Sequence, residues 1–199
     1  MNVDLGVDEV ALEPHPGWFV VFQRLMKLRV IVLLQVTAIC AILVHDLIAV
    51  TDRTWMDTLV TIGITVVGGT LSAGGSNAIN MWYDADIDPL MRRTKNRPVP
   101  QGHISPRGAL LFGLIIAVLG SSLFLIVSWK AAFWSFFSVI FYVLIYSIWL
   151  KRRTPQNIVI GGIAGSTPPL IGWAAAAGDT ALDTLNPLAL GSPVPWLFF

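Results

Sequence analysis

Asn80-Met81-Trp82-Tyr83-Asp84-Ala85-Asp86-Ile87-Asp88 follows directly on an apolar, glycine-rich run, residues 59–79, and is followed by Arg92, Arg93, Lys95 and Arg97. The join between these two stretches decides the fold. An apolar run of this length is a membrane-spanning helix candidate, because the hydrocarbon core asks for about 20 residues. Three carboxylates and an amide then stand at its mouth. Asn80, Asp84 and Asp88 are spaced i, i+4, i+8. At about 100° per residue each step drifts by only about 40°, so the spacing predicts one shared helix face, with Asp86 off it. Carboxylates stacked this closely repel unless a cation sits among them. Mg²⁺ takes such oxygen ligands and is often held by one or two carboxylates plus substrate phosphates. The plainer reading is that the acids pair with the following arginines in a solvated loop.

Working outward, the composition supports a membrane protein. The 199 residues are 55% hydrophobic and only 13% charged, with a mean hydropathy of +0.70; soluble domains carry about 25% charged residues. The apolar residues come in blocks, which predicts an all-α, polytopic transmembrane helix bundle. A net charge of +1 with no basic tail gives no sign of nucleic-acid binding. The single cysteine, Cys40, excludes a disulfide framework and reads as a buried thiol.

Residues 1–16 carry Asp4, Asp8, Glu9 and Glu13 and lack the basic start of a signal peptide. They read as a disordered cytoplasmic tail. Residues 17–27 form an interfacial amphipathic segment, with Trp18, Phe19 and Phe22 at headgroup level. Residues 28–199 form the transmembrane bundle, with five spans predicted at about 28–50, 58–82, 109–129, 131–150 and 157–177. The glycines of the second span, Gly63, Gly68, Gly69, Gly74 and Gly75, are expected to admit close helix packing. The break at Pro168-Pro169 is tolerable where neighbouring groups satisfy the freed backbone. His45 and Asp46 read as a paired or solvated couple at the far surface. The ending Trp196-Leu197-Phe198-Phe199 reads as the opening of another span, so the chain is expected to be truncated.

The basic residues set the orientation. Arg24, Lys27 and Arg29, then the cluster from Arg92 to Arg107, then Lys151, Arg152 and Arg153 fall on one side; Arg53 and Lys130 fall on the other. The positive-inside rule makes the first group cytoplasmic, in a prokaryotic plasma (inner) membrane. Three charged patches thereby converge. An acidic, metal-binding rim with Lys and Arg around it, above an apolar bundle, suits a substrate with a diphosphate head and a long hydrocarbon tail. Ionisation of an allylic diphosphate puts charge on the leaving group, which metal and cations would stabilise. Trp82, Tyr83, Tyr142 and Tyr146 are candidate faces for the carbocation.

Asn80-x-x-x-Asp84-x-x-x-Asp88 resembles the first acidic motif of the UbiA-type intramembrane prenyltransferases. Two longer stretches, residues 80–98 and 150–173, are similar to segments of the haem O synthase (protohaem IX farnesyltransferase) branch of that family. The resemblance runs from about Leu25 to the C-terminus. It implies a bundle of about nine spans and transfer of farnesyl from farnesyl diphosphate to a vinyl group of protohaem IX. It implies Asn80, Asp84 and Asp88 as the Mg²⁺ and catalytic residues, and Arg29, Arg92, Lys95, Arg97 and Lys151 as diphosphate-binding residues. Where the family has Lys-Pro-Arg, this sequence has Lys27-Leu28-Arg29, without the proline. Nothing after Trp173 matches the family's second acidic motif. Asp179 and Asp183 share its spacing but belong to a loop on the opposite side, so this chain alone is expected to be inactive.

Two other readings stand beside this one. The first is a UbiA-type enzyme with an aromatic or quinone-precursor acceptor. The second is a channel, transporter or assembly subunit without chemistry. The sequence leaves the haem-binding residues open, with His103 a weak site neighbour and His15 in the tail. A second copy of the chain or a haem-pathway enzyme is the candidate protein partner.

Overall fold

A computed structural model describes residues 16–49, 52–179 and 186–198. The tail, residues 1–15 with His15, and Asp183 lie outside the described residues. The elements are helices α1 (Trp18–Met26), α2 (Leu28–Ile48), α3 (Trp55–Tyr83), α4 (Pro106–Leu123), α5 (Trp129–Ile140) and α6 (Asn157–Ala177). α5 runs on into a π-helix, Phe141–Leu150. Five segments are long and apolar enough to cross a membrane: Leu28–Ile48, Trp55–Tyr83, Pro106–Ile126, Trp129–Leu150 and Asn157–Ala177.

The starts of α3 and α4 lie three residues earlier than the hydropathy predicts, and capping explains both. Thr54 and Asp57 form a capping box, in which Asp57 Oδ2 accepts from the Thr54 backbone N–H at 2.8 Å. Ser105 Oγ accepts from the Gly108 N–H at 3.0 Å, ahead of Pro106 at the first helical position.

Small residues bring α3 and α4 together. A Cβ on Gly75 would lie 2.5 Å from the Gly113 carbonyl oxygen, and a Cβ on Gly68 2.9 Å from that of Gly120. In lipid such close backbone packing replaces the hydrophobic drive. Gly63 faces open space, so it alone of the second-span glycines lacks a packing reason. In α6, Pro168 cannot donate to the Ala164 carbonyl. That oxygen instead accepts from Ser138 Oγ at 3.2 Å and Thr167 Oγ1 at 2.8 Å. Hydroxyls from two spans thus repair the break.

α1 packs against α3. Val21 and Leu25 are buried against Ala78 and Met81 of α3, while Trp18 and Phe19 are exposed. The helix is thus amphipathic, with its apolar inner face against α3. Cys40 corrects an expectation: it is exposed, not buried. Hydropathy gives a span's length but not which way each residue is turned.

Candidate functional site

α3 ends at Tyr83, so Asn80, Asp84 and Asp88 do not share one continuous helix as their spacing suggests. Asp84 caps α3, and Asp88 opens a 3₁₀ turn, Asp88–Leu90, whose second residue is Pro89. Their alignment survives because the backbone keeps the same reach. Asp84 N–H donates to the Asn80 carbonyl at 3.1 Å, and Asp88 N–H to the Asp84 carbonyl at 2.8 Å. Both carboxylates point inward, Asp84 at 0% and Asp88 at 1% exposure.

The following loop turns back on itself. Thr94 Oγ1 donates to the Asp88 carbonyl at 3.0 Å, and Pro98 is buried. Arg97 thereby returns to Asp88, donating Nη1 to Oδ1 at 2.9 Å and to Oδ2 at 2.7 Å, with Asp84 Oδ2 at 4.0 Å. From the end of the fourth span, Lys151 Nζ donates to the same Asp84 Oδ2. Asp84 Oδ1, fully buried, has no protein partner. A buried carboxylate oxygen without a hydrogen bond is costly, and a cation arriving with a ligand would satisfy it. Asn80 uses its amide nitrogen to donate to Ser147 Oγ at 2.9 Å, tying α3 to the fourth span.

Of the five predicted diphosphate cations, the structure brings Arg97 and Lys151 to the acids. Arg92 and Lys95 are exposed on the loop, and Arg29 is exposed at the start of α2. The cation near the acids from that region is Lys27, which the sequence reading did not select. It is half-buried, and its charge interacts with Asp84, Asp88, Arg97 and Lys151. Burial, then the like charges of Arg97 and Lys151, push its ammonium down to about 8, against the pull of the two acids. Ser147 was also missed; its signal is a single serine four residues before Lys151 in the apolar, aromatic run 141–150. Asp86, off the cluster as predicted, pairs on the surface with Arg152 at 2.6 Å, and this hydrogen bond holds its carboxyl below the usual range. His103 is buried in the loop between α3 and α4.

Below the acids, residues of α2, α3, the fourth span and α6 line a half-open cavity of about 380 Å³. Its wall includes Asn77, one turn before Asn80, together with Tyr142, Tyr146, Gly162 and Gly165. Both glycines face open space, and the two tyrosine rings stack at 5.2 Å. Tyr142 and Tyr146 thus face a ligand-sized space. Trp82 packs instead against the buried cluster that includes Val21, Leu25, Met81 and Val99, and Tyr83 lies under Arg152 at 4.4 Å.

At the other end of the bundle, Asp179 Oδ1 accepts from Ser128 Oγ and Oδ2 from the Trp129 N–H, both at 2.8 Å. It therefore sits across the bundle from Asp84, as the topology predicts. His45 and Asp46 are paired there at 2.9 Å.

A family model described as the UbiA prenyltransferase family matches residues 36–199. The chain belongs to that family. It is 47% identical over 165 residues, 80% of this chain and 49% of the relative, to a protein of Bartonella tribocorum named protoheme IX farnesyltransferase. It is 40% identical over 188 residues, 92% of this chain and 56% of the relative, to protoheme IX farnesyltransferase 2 of Mesorhizobium japonicum. Over 123 residues, 61% of this chain and 39% of the relative, it is 52% identical to a Brucella ovis protein of the first name. The chain spans about half the length of the curated relatives it matches. No solved structure matches it. UbiA membership and the five apolar helices make this an integral membrane protein.

The donor set can be tested against Mg²⁺. Among the described residues no group of three or more His, Cys, Asp or Glu side chains forms a metal cluster. Two adjacent carboxylates with one orphaned oxygen do fit an ion that takes its remaining ligands from substrate phosphate and water.

Proposed function

We propose that the full-length protein transfers a farnesyl group from farnesyl diphosphate to a vinyl group of protohaem IX, giving haem O. The observation that carries this reading is Asp84: fully buried, bridged to Lys151 on one oxygen and without a partner on the other, beside the Asp88–Arg97 pair and above the cavity. The names of the relatives support the acceptor.

Asp84 and Asp88 are the residues that would hold Mg²⁺, which supplies positive charge to the departing diphosphate. Arg97 and Lys151 pair with the acids. When the diphosphate enters they can turn from carboxylate to phosphate oxygens, keeping each charge matched. Asn80 acts by holding the end of α3 against Ser147. The hydrocarbon tail would lie in the cavity, whose small residues Gly162 and Gly165 leave it room. There the stacked faces of Tyr142 and Tyr146 suit an allylic cation. The site is proposed to open to the cytoplasm, because the basic residues gather at its end of the bundle while Arg53 and Lys130 stand at the other.

The test is product analysis. Full-length protein in lipid, given farnesyl diphosphate, Mg²⁺ and haem B, is expected to yield farnesylated haem by mass spectrometry. Prenylation of 4-hydroxybenzoate with haem untouched would move the protein to an aromatic acceptor. No Mg²⁺-dependent binding of any prenyl diphosphate would leave a membrane protein without this chemistry.

A further inference from the structure

Lys27 sits in the break between α1 and α2 with φ 55° and ψ 55°. It is the one non-glycine residue with positive φ among the described residues. A side chain in this left-handed region is sterically disfavoured and persists where the surroundings over-determine it. Here three contacts do so. Asn77 Nδ2 donates to the Met26 carbonyl at 2.9 Å. The Met26 side chain lies over Gly74, where a Cβ would come within 2.6 Å of Met26 Cε and 2.9 Å of Cγ. Leu25, just before, is fully buried against α3.

The break sets Lys27, half-buried, next to the Met26 carbonyl held by Asn77, which lies one helical turn before Asn80 on α3. From there its charge is coupled to Arg97, Lys151, Asp84 and Asp88. Arg97 and Lys151 are each engaged by a carboxylate, whereas Lys27 forms no ion pair with Asp84 or Asp88. Three cations therefore face two acids. The surplus positive charge is half out of water and calls for an anion. Arg29 lies two residues further on, inside α2, and is exposed. The left-handed turn separates the roles of two basic residues that sequence alone treats as interchangeable.

We propose that Lys27 is a diphosphate-binding residue of this site, the third cation beside Arg97 and Lys151, and that Asn77 is the residue that positions it. The proposal rests on the prenyl-diphosphate reading above. Asn77 reaches further into the site: its Oδ1 accepts from Tyr142 Oη at 3.4 Å, on the cavity wall. One carboxamide thus braces both the turn that carries the cation and a ring beside the tail.

The experiment uses full-length protein in nanodiscs with Mg²⁺. Its probes are a non-ionisable thiolodiphosphate analogue of farnesyl diphosphate and farnesyl monophosphate. Lys27→Asn removes the charge while keeping a residue that accepts left-handed backbone. It is expected to weaken the analogue ~10-fold and the monophosphate much less, raising KM for farnesyl diphosphate more than it lowers kcat. Lys27→Arg restores most of the affinity. Asn77→Ala gives a smaller loss in the same direction, and Arg29→Gln stays within about twofold of wild type. Wild-type affinity and diphosphate preference in Lys27→Asn would overturn the proposal and leave the prenyl-diphosphate reading standing. Equal losses for both ligands in Lys27→Asn and Lys27→Arg would mean a structural role, and also overturn it. Failure of the wild type to bind either ligand would remove both.

Discussion

At the Arg53 end of the bundle, both oxygens of Asp46 are engaged: Oδ1 by His45 at 2.9 Å and Arg53 at 3.1 Å, Oδ2 by Thr58 at 2.6 Å. At the opposite end, Asp84 is deeper and less well served, with Oδ1 unmatched and three cations around two acids. Both regions are charged networks inside an apolar protein, and sequence alone does not rank them. Matching does. A carboxylate with both oxygens paired, as in Asp46, holds helices together, although Arg53 Nε beside it lacks a hydrogen bond; a carboxylate with an orphaned oxygen and surplus cations around it is arranged for something that arrives.

The sharpest way to break this comparison is to remove one acid from each end. Asp84→Asn or Asp88→Asn is expected to cut farnesyl transfer by about 100-fold or more, measured as product per folded protein. Asp46→Asn should leave turnover within about twofold and instead lower the Tm by about 5 °C. Lost turnover with an unchanged Tm in Asp46→Asn would erase the distinction between the ends.

A second, smaller effect sharpens it at the Lys27 turn. Gly74→Ala pushes on Met26, so it is expected to weaken diphosphate-analogue binding about threefold to tenfold. Gly63→Ala, in open space, should change neither binding nor Tm measurably. Equal effects from the two would show that Met26 seating does not matter.

pH gives a third test, because Lys27 predicts opposite signs for two measurements. Its ammonium, facing Arg97, Lys151, Asp84 and Asp88, loses its proton near pH 8 when folded, against 10.5 as an ordinary lysine. Between these values the unfolded chain binds more protons, so the Lys27 contribution makes the empty protein more stable as pH rises. Anion affinity falls over the same window as the charge is lost. Lys27→Arg should flatten both trends; parallel trends in the wild type would count against Lys27 as their source. A small effect is also expected at the exposed pair: Asp86→Asn should leave turnover within about twofold.

The five spans were legible because lipid demands long apolar blocks, and the acids because they interrupt those blocks. Their face was legible only in outline: α3 stops at Tyr83, and hydrogen bonds across the following turns restore the alignment. The choice of cation was not legible. Charge counts cannot tell Lys27 from Arg29, since a left-handed residue between two helices rotates one inward and leaves the other exposed. Nor can they tell that Arg97, rather than Arg92 or Lys95, is carried back by the loop. That depends on Thr94 and Pro98 folding it, which is tertiary information.

The π-helix Phe141–Leu150 has one more consequence. Ser147 Oγ and Lys151 N–H both donate five residues back, to the carbonyls of Tyr142 and Tyr146. The wider winding sets the azimuth between the tyrosines that line the tail space and the lysine that meets the head group. The i+5 bonding brings Lys151 back over Tyr146, much as α winding does for residues four apart. Removing one residue between them while the helix returns to α pitch would therefore keep head group and tail space in line, whereas straightening the stretch to α pitch at full length would turn Lys151 away from those rings.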